Sequence, residues 1–264
     1  MIFVGANGCG KTRLAVHIED ILSDRGHRIS AHRALNLNPR VAKIGEREAL
    51  FGLRTGNPAV NAHISHKASS RWQQKAAVSL LNDFDFLIQA LFADQGNMAL
   101  ATHNRNRAGD HTLAEPTKFE KLAGIWERLL PHRKLVISGD DIRVSAADSA
   151  APYPASEMSD GERAIFYMIG QALAAAADSV IIIDEPELHV HRSIMSKLWD
   201  ELEAARQDCA FVFITHDLEF AASRVAQKFV IRSFDLAPSW TLEEVPADTG
   251  FSEELTTLIL VDKI

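Results

Sequence analysis

The chain has 264 residues, of which 47% are hydrophobic, and its formal net charge is −7. This length is sufficient for one large or two small domains with a buried core, whereas two cysteines are too few for a disulfide or zinc framework. The acidic balance excludes a globally basic nucleic-acid surface. No apolar run approaches the roughly 18 residues that a bilayer span requires, and the N-terminus has no secretory signal pattern. We therefore expect a cytoplasmic protein that does not enter the membrane.

A phosphate-binding loop is predicted close to the N-terminus. Residues 5–12 (GANGCGKT) fit G-x-x-x-x-G-K-[ST] at every fixed position, after an apolar run and before a helical pattern. The glycines let backbone N–H groups turn toward a phosphate chain, Lys11 places a charge on the β- and γ-phosphates, and the Thr12 hydroxyl can ligate Mg²⁺. The candidate nucleotide-binding residues are Asn7, Gly8, Cys9, Gly10, Lys11 and Thr12.

The segment after the loop predicts a helix to about residue 24, with Gly26 as its C-terminal cap, and a strand over residues 27–33. Arg33 ends that strand and is either a ligand-proximal residue or a solvated strand end. Residues 36–155 differ in pattern: loops, a long helix over 70–94, a polar exposed loop over 96–115, a helix over 118–130 and a β-hairpin over 134–145. We interpret residues 36–155 as an inserted, mainly helical subdomain.

The residues after this segment predict the beginning of a helix. Residues 156–163 (SEMSDGER) lead into an alanine-rich helix, with Ser159 as its N-cap and Glu162 three residues later in a capping box. The helix N-terminus around Ser159 and Gly161 favours an anion. Taken by itself, however, the octapeptide indicates no more than a helix cap.

Two further buried strands are predicted to end in polar residues. Residues 180–183 form an apolar run that ends in Asp184 and Glu185, so Asp184 is placed to hold Mg²⁺ and Glu185 to polarise the water that attacks a γ-phosphate. Residues 210–214 form another, ending in Thr215 and His216. His216 is either an ordinary histidine at a strand end or a γ-phosphate sensor. Two more strands (227–233 and 240–245) and a helix over 253–260 complete the pattern.

The order of these motifs resembles that of ATP-binding-cassette ATPases. Within this class the chain is similar to the soluble branch of chromosome-maintenance and break-repair ATPases and of the overcoming-lysogeny (OLD) type ATPases of bacterial defence, because residues 185–191 (EPELHVH) resemble the E-P-E-x-x-x-H run of that type. The resemblance covers residues 1–33 and 156–264. It implies a Walker A loop at 5–12 and a signature motif at 158–162, with Ser159, Gly161 and Glu162 as nucleotide-binding residues. It also implies that Asp184 is the Walker B aspartate, Glu185 the catalytic glutamate and His216 the switch histidine.

The resemblance implies an α/β fold: a P-loop NTPase core with a mainly parallel sheet flanked by helices. The core is predicted to comprise residues 1–35 and 156–264, interrupted by the subdomain at 36–155. ATP and Mg²⁺ are the implied cofactors, and hydrolysis is expected to open an ATP-dependent homodimer. This switch would act on DNA or on an effector such as a nuclease, in phage defence or DNA repair.

The chain departs from the cassette pattern at two points. No strand with an adenine-stacking aromatic precedes the phosphate loop, and none of Gln73, Gln74, Gln89 and Gln95, all predicted in or near the long helix, is placed as the Q-loop ligand. His32 and Arg33 are an alternative for that position. Two other functions stay open: a transporter's nucleotide-binding subunit and a nucleotide-gated scaffold that hydrolyses ATP negligibly. The chain also has no acidic cluster typical of a nuclease domain, so nuclease activity would have to come from another chain or from a missing extension.

Overall fold

The computed structural model describes residues 1–59, 63–146, 151–235, 239–247 and 250–260. The strands in chain order are β1 (Ile2–Val4), β2 (Gly26–Ile29), β3 (Arg133–Ile137), β4 (Ile142–Ala146), β5 (Tyr153–Pro154), β6 (Val180–Asp184), β7 (Ala210–Thr215), β8 (Lys228–Asp235) and β9 (Ser239–Val245). The helices are α1 (Lys11–Leu22), α2 (Glu46–Thr55), α3 (His66–Ser70), α4 (Phe84–Arg107), α5 (Lys118–Leu129), α6 (Asp160–Ala174), α7 (Arg192–Ala205), α8 (Leu218–Ser223) and α9 (Glu253–Leu260).

The chain divides into two compact units. The first comprises Met1–His32, Ala76–Val78 and Ala175–Ile264, and the second comprises Arg33–Lys75 and Ser79–Ala174. The second unit therefore includes α6 and the turn before it. Within the described ranges, no helix has both the length and the apolar character needed to cross a bilayer.

A six-stranded sheet organises the first unit, in the order β2-β6-β7-β1-β8-β9. All neighbouring strands are parallel except β9, which runs antiparallel to β8. The β6 residues Ile181, Ile182 and Ile183 are fully buried, as consecutive β-branched residues predict for a central parallel strand. Leu14 and Ala15 of α1 pack against this sheet. The predicted fold, a mainly parallel sheet flanked by helices, is confirmed.

The second unit combines helices α2–α6 with a small antiparallel sheet of order β3-β4-β5. The predicted hairpin is confirmed, because β3 and β4 pair on either side of the turn at residues 138–141. A buried polar group lies inside this unit. Asp83 accepts hydrogen bonds from Tyr167 Oη at 2.7 Å, from Gln171 Nε2 at 3.1 Å and from Arg71 Nη2 at 3.1 Å. With three donors the buried carboxylate is satisfied, which is what makes its burial tolerable.

The predicted helix over residues 70–94 is wrong in position. Gln73 and Gln74 have φ angles of 48° and 58° and form a turn, and α4 begins only at Phe84. The apolar spacing runs across this turn, so periodicity alone did not reveal it. The same helix continues to Arg107, which makes residues 96–107 helical rather than the predicted loop.

The first α/β connection also differs from the sequence prediction. α1 ends at Leu22 and is followed by Ser23, whose φ of 53° is left-handed. A 3₁₀ turn over Ser23–Arg25 follows, and Gly26 caps this turn with an extended φ of −87° and is also the first residue of β2, so it caps the turn and not α1 itself. β2 ends at Ile29, so Arg33 lies beyond the strand that it was predicted to end; it instead forms an isolated parallel bridge with Leu81.

Candidate active site

The C-terminal ends of three parallel strands of the first unit lie at one edge of the sheet. β1 leads into Gly5, β6 ends at Asp184 and β7 ends at Thr215. Backbone hydrogen bonds hold the three ends together: Gly5 N donates to Thr215 O at 3.2 Å, and Glu185 N donates to Ile214 O at 2.9 Å. Ligands of open α/β sheets bind at this edge.

The phosphate loop needs glycine at two positions. Gly8 and Gly10 have φ angles of 82° and 86°, a region that L side chains rarely adopt. Gly10 is also closely covered, because a Cβ atom there would lie 2.7 Å from Phe234 Cγ and 3.1 Å from Trp240 Nε1. Trp240 Nε1 donates to Gly10 O at 3.3 Å. The β8–β9 hairpin therefore supports the loop from its outer side.

The Lys11 ammonium is buried and bound within the loop. Nζ donates to Gly5 O at 3.0 Å and to Ala6 O at 2.9 Å, and it lies 3.3 Å from Glu185 Oε1. The side chain is only 6% exposed. Lys11 thus joins the phosphate loop to the end of β6, as the paired motifs predict.

Asp184 is fully buried, and neither carboxylate oxygen has a hydrogen-bond partner among the described residues. Burial raises the pKa of Asp184, while Arg28, the Thr12 hydroxyl, Lys11 and His32 favour its charged form. A fully buried carboxylate with so few protein donors is costly unless a cation balances it. Oxygen ligands of this kind suit Mg²⁺. Asp184 and Thr12 therefore fit the magnesium ion that the motifs imply.

Glu185 occupies a strained position between two cations. Its φ of 52° is left-handed for a non-glycine residue, and such conformations concentrate at functional sites. Glu185 Oε2 lies 2.6 Å from His216 Nδ1, whereas Oε1 is the oxygen that contacts Lys11. Burial first and the neighbouring Glu187 second raise the pKa of Glu185 to about 7, against the opposing influence of Lys11 and His216.

Glu187 is a further residue of the site, and its role was not predicted from the sequence. Its Oε1 lies 2.9 Å from His216 Nδ1 and accepts hydrogen bonds from Thr215 Oγ1 at 2.7 Å and from His216 N at 3.3 Å. Although burial opposes it, hydrogen bonds from His216 and Thr215 lower the pKa of Glu187 to about 2. The signal available in the sequence was the second acid of Glu-Pro-Glu, one position beyond the proline.

The carboxylates of Glu185 and Glu187 both contact Nδ1 of the His216 ring. The hydrogen bond with Glu187, and then that with Glu185, raises the pKa of His216 to about 9 despite partial burial. Because two acceptors face Nδ1, we assign a hydrogen to that atom. The three side chains also offer ligand atoms within 4.8 Å of one another, a spacing that a metal ion would accept.

The Ser159 turn lies in the second unit. Ser159 N donates to Glu162 Oε2 at 2.8 Å and Glu162 N donates to Ser159 Oγ at 3.3 Å, which confirms the predicted capping box. Hydrogen bonds from Ser159 and Arg133 lower the pKa of Glu162 against the effect of its burial. Ser159 is exposed at the start of α6, and Gly161 lies in the first turn.

A cavity of about 960 Å³ lies beside the phosphate loop in the first unit. This volume is within the range of small-molecule sites. Its lining is contributed by the loop, β8 and α9: Ala6, Asn7, Gly8, Cys9, Ile231, Arg232, Ser233, Glu253, Glu254 and Thr257. Asn7 and Gly8 are exposed, whereas burial raises the pKa of the Cys9 thiol. Of the predicted loop residues, Asn7, Gly8 and Cys9 face this space, which is large enough for a nucleotide, whereas Gly10, Lys11 and Thr12 are not part of its lining.

The chain shares its fold with a solved structure, at a TM-score above 0.5. An SMC head bound to the C-terminal winged-helix domain of ScpA has 14% identity and a TM-score of 0.51, over 94% of this chain and 90% of that one. A nucleotide-free ATP-binding cassette from an ABC transporter has 16% identity and a TM-score of 0.42, over 99% and 84%. An SMC head domain from Pyrococcus yayanosii has 11% identity and a TM-score of 0.43, over 78% and 40%. No curated protein matches the chain.

A family model establishes the relationship more directly. The model described as "AAA domain, putative AbiEii toxin, Type IV TA system" matches residues 1–222. This range contains the phosphate loop, the β6 carboxylates and His216. The chain belongs to this AAA family of P-loop ATPases, and its fold is similar to that of the SMC head.

Proposed function

We propose that this ATPase is an ATP-driven dimeric switch. Two protomers enclose two ATP molecules, each γ-phosphate lying between the Lys11 loop of one protomer and the Ser159 turn of the other. Hydrolysis reopens the dimer. The observation that carries this proposal is the continuous chain of contacts from Lys11 through Glu185 to His216 at one sheet edge. The exposure of Asn7, Gly8 and Ser159 supports it, because a shared nucleotide needs both surfaces accessible.

Each site residue has a role in this proposal. The N–H groups of residues 7–10 and the Lys11 ammonium bind the phosphates, and Ser159, Gly161 and Glu162 form the opposing surface. Thr12 and Asp184 hold Mg²⁺, which neutralises phosphate charge when bound. Glu185 accepts the proton of the attacking water, and His216 contacts the γ-phosphate.

We further propose that the switch belongs to the OLD-like branch and acts on DNA or on an effector protein such as a nuclease, in defence or repair. Residues 36–155 form the inserted subdomain through which the change is transmitted. The Glu-Pro-Glu run supports the branch. The family description mentions a toxin of a toxin–antitoxin system, which supports a controlled effector in a defence setting.

The first test separates binding, hydrolysis and dimerisation. Glu185→Gln keeps the size of the side chain but removes the base, so ATP should still bind while turnover falls by about 10²–10⁴-fold. Light scattering should then find a dimer at saturating Mg-ATP and a monomer without nucleotide. A variant that stays monomeric with bound ATP would refute the dimeric switch.

The second test concerns the partner. Steady-state ATP turnover is measured with and without double-stranded DNA, at low and moderate salt. Stimulation that fades with salt indicates phosphate contacts made by a local basic patch. Turnover that DNA leaves unchanged excludes a DNA-coupled switch and directs the search to an effector protein.

A further inference from the structure

Glu185 cannot act as a base while both of its oxygens are bound to cations. Oε1 lies 3.3 Å from the Lys11 ammonium and Oε2 lies 2.6 Å from His216 Nδ1. Phosphates that bind in the loop compete for Lys11, which removes the first of these contacts. The contact with His216 remains, and the imidazole bound at Oε2 lowers the proton affinity of the whole carboxylate, including the oxygen that Lys11 has left. The site therefore needs another acceptor for the imidazole.

Glu187 is placed to be that acceptor. Its Oε1 lies 2.9 Å from His216 Nδ1, nearly as close as Glu185 Oε2. Glu187 is also held firmly, since Oε1 accepts from Thr215 Oγ1 at 2.7 Å and from His216 N at 3.3 Å. Thr215 Oγ1 in turn accepts from Asp217 N at 2.9 Å. The carboxylate is thus fixed by the same turn that carries the histidine.

We propose that Glu187 is a positioning residue that holds the His216 imidazole through Nδ1, which directs Nε2 to the γ-phosphate and releases Glu185 to bind the attacking water. This inference rests on the proposed roles of Glu185 and His216. It extends a general arrangement in which a carboxylate that binds one ring nitrogen fixes the orientation of the other. Glu187 does not contact the reacting atoms and acts only through His216.

The experiment begins with Glu187→Ala in the full chain. Turnover, kcat, should fall by about 10- to 100-fold, the usual cost of losing a residue that orients a functional histidine. KM and the ATP dissociation constant from calorimetry should stay within about twofold, because the phosphate loop is intact. Glu219→Ala is the matched control, since this exposed carboxylate on α8 pairs with Arg192, away from Glu185 and His216, and should leave turnover unchanged. An unchanged kcat, or a loss confined to KM, would overturn the proposal.

The dependence on His216 distinguishes positioning from general destabilisation. In a His216→Ala background, adding Glu187→Ala should change kcat by less than about twofold, because a group that acts through the histidine has nothing left to orient. If Glu187→Ala costs the same factor with or without His216, it acts by another route and the inference fails.

Thr215 provides a second pair of variants if Glu187→Ala does not fold. Thr215→Val removes the hydroxyl that fixes Glu187 and should lower kcat, whereas Thr215→Ser keeps it and should restore turnover. Equal kcat values for the two variants would overturn the inference. The proposed function is judged separately: it fails if Glu185→Gln retains full turnover, and the inference fails alone if Glu185→Gln is slow but these variants are not.

Discussion

The Lys11 ammonium and the Glu185 carboxylate lie 3.3 Å apart, so the cation predicted to bind the γ-phosphate is also a partner of the predicted base. Nucleotide binding and activation of the base are therefore linked through one side chain. When phosphate oxygens draw the ammonium away, the carboxylate loses a partner that stabilises its charged form and becomes a stronger base. Under the proposed mechanism, a bound triphosphate is therefore one of the conditions for activating the base.

Lys11→Ala should abolish detectable ATP binding. Two or more charge-assisted hydrogen bonds of about 1.5–3 kcal/mol each would be lost, which corresponds to at least about a hundredfold in affinity. Isothermal titration calorimetry measures this directly. Lys43→Ala, at an exposed position of the second unit, is the control and should bind ATP normally. Unchanged affinity of Lys11→Ala would show that the loop does not bind phosphate as proposed.

The pH dependence of catalysis should report Glu185. Its pKa is raised to about 7, and only the unprotonated carboxylate can accept a proton. We expect kcat/KM to fall by about tenfold per pH unit below pH 7 and to level off above it. Glu185→Gln, measured over the same range, should lack this limb, and the comparison removes the ionisation of ATP itself. A wild-type profile that parallels that of the variant would contradict the assignment of Glu185 as the base.

His216 should stabilise the nucleotide-free protein in a pH-dependent manner. Its pKa is raised from 6.5 to about 9, so folding favours the charged imidazolium. This stabilisation is complete below pH 6.5 and is lost as pH rises through 9. Urea denaturation should therefore show the largest difference between wild type and His216→Ala near pH 6 and a smaller one near pH 10. His103→Ala, at an exposed site on α4, should show no such trend.

The two left-handed glycines of the phosphate loop should differ in their tolerance of alanine. Gly8→Ala meets no atom within 4 Å, so its cost is the backbone strain alone, about 1–2 kcal/mol. Gly10→Ala adds a clash with Phe234 at 2.7 Å, and overpacking typically costs a further 1–3 kcal/mol or so. Thermal denaturation without nucleotide should give the lower Tm for Gly10→Ala. Equal decreases in Tm would mean that the β8–β9 hairpin moves to accommodate the added methyl group without a loss of stability.

The elements that could be predicted from the sequence are those whose residue types are determined locally. The phosphate loop, the buried strand ending at Asp184 and the Ser159 capping box each lie within a short segment, and the structure contains all three. The proximity of the phosphate loop to the end of β6 at one sheet edge also followed, because parallel strands align their C-terminal ends.

The features that could not be predicted depend on distant neighbours. Residues 96–107 have no apolar stripe, yet they continue α4 because the helix was already established at Phe84. Gln73 and Gln74 adopt left-handed angles that their residue type does not favour. Glu187 contacts Thr215 and His216, which lie nearly thirty positions later in the chain, and no local pattern indicates such contacts.

The pairing of β1 has a consequence for synthesis of the chain. Residues 2–4 pair with residues 213–215 of β7 and 228–230 of β8, so the strand that carries the phosphate loop has no neighbours until most of the polypeptide has left the ribosome. Such distant pairings form slowly, because loop closure must precede any contact. During translation the phosphate loop therefore lacks the strands that support it. The protein gains the ability to bind ATP only after β7 and β8 have emerged.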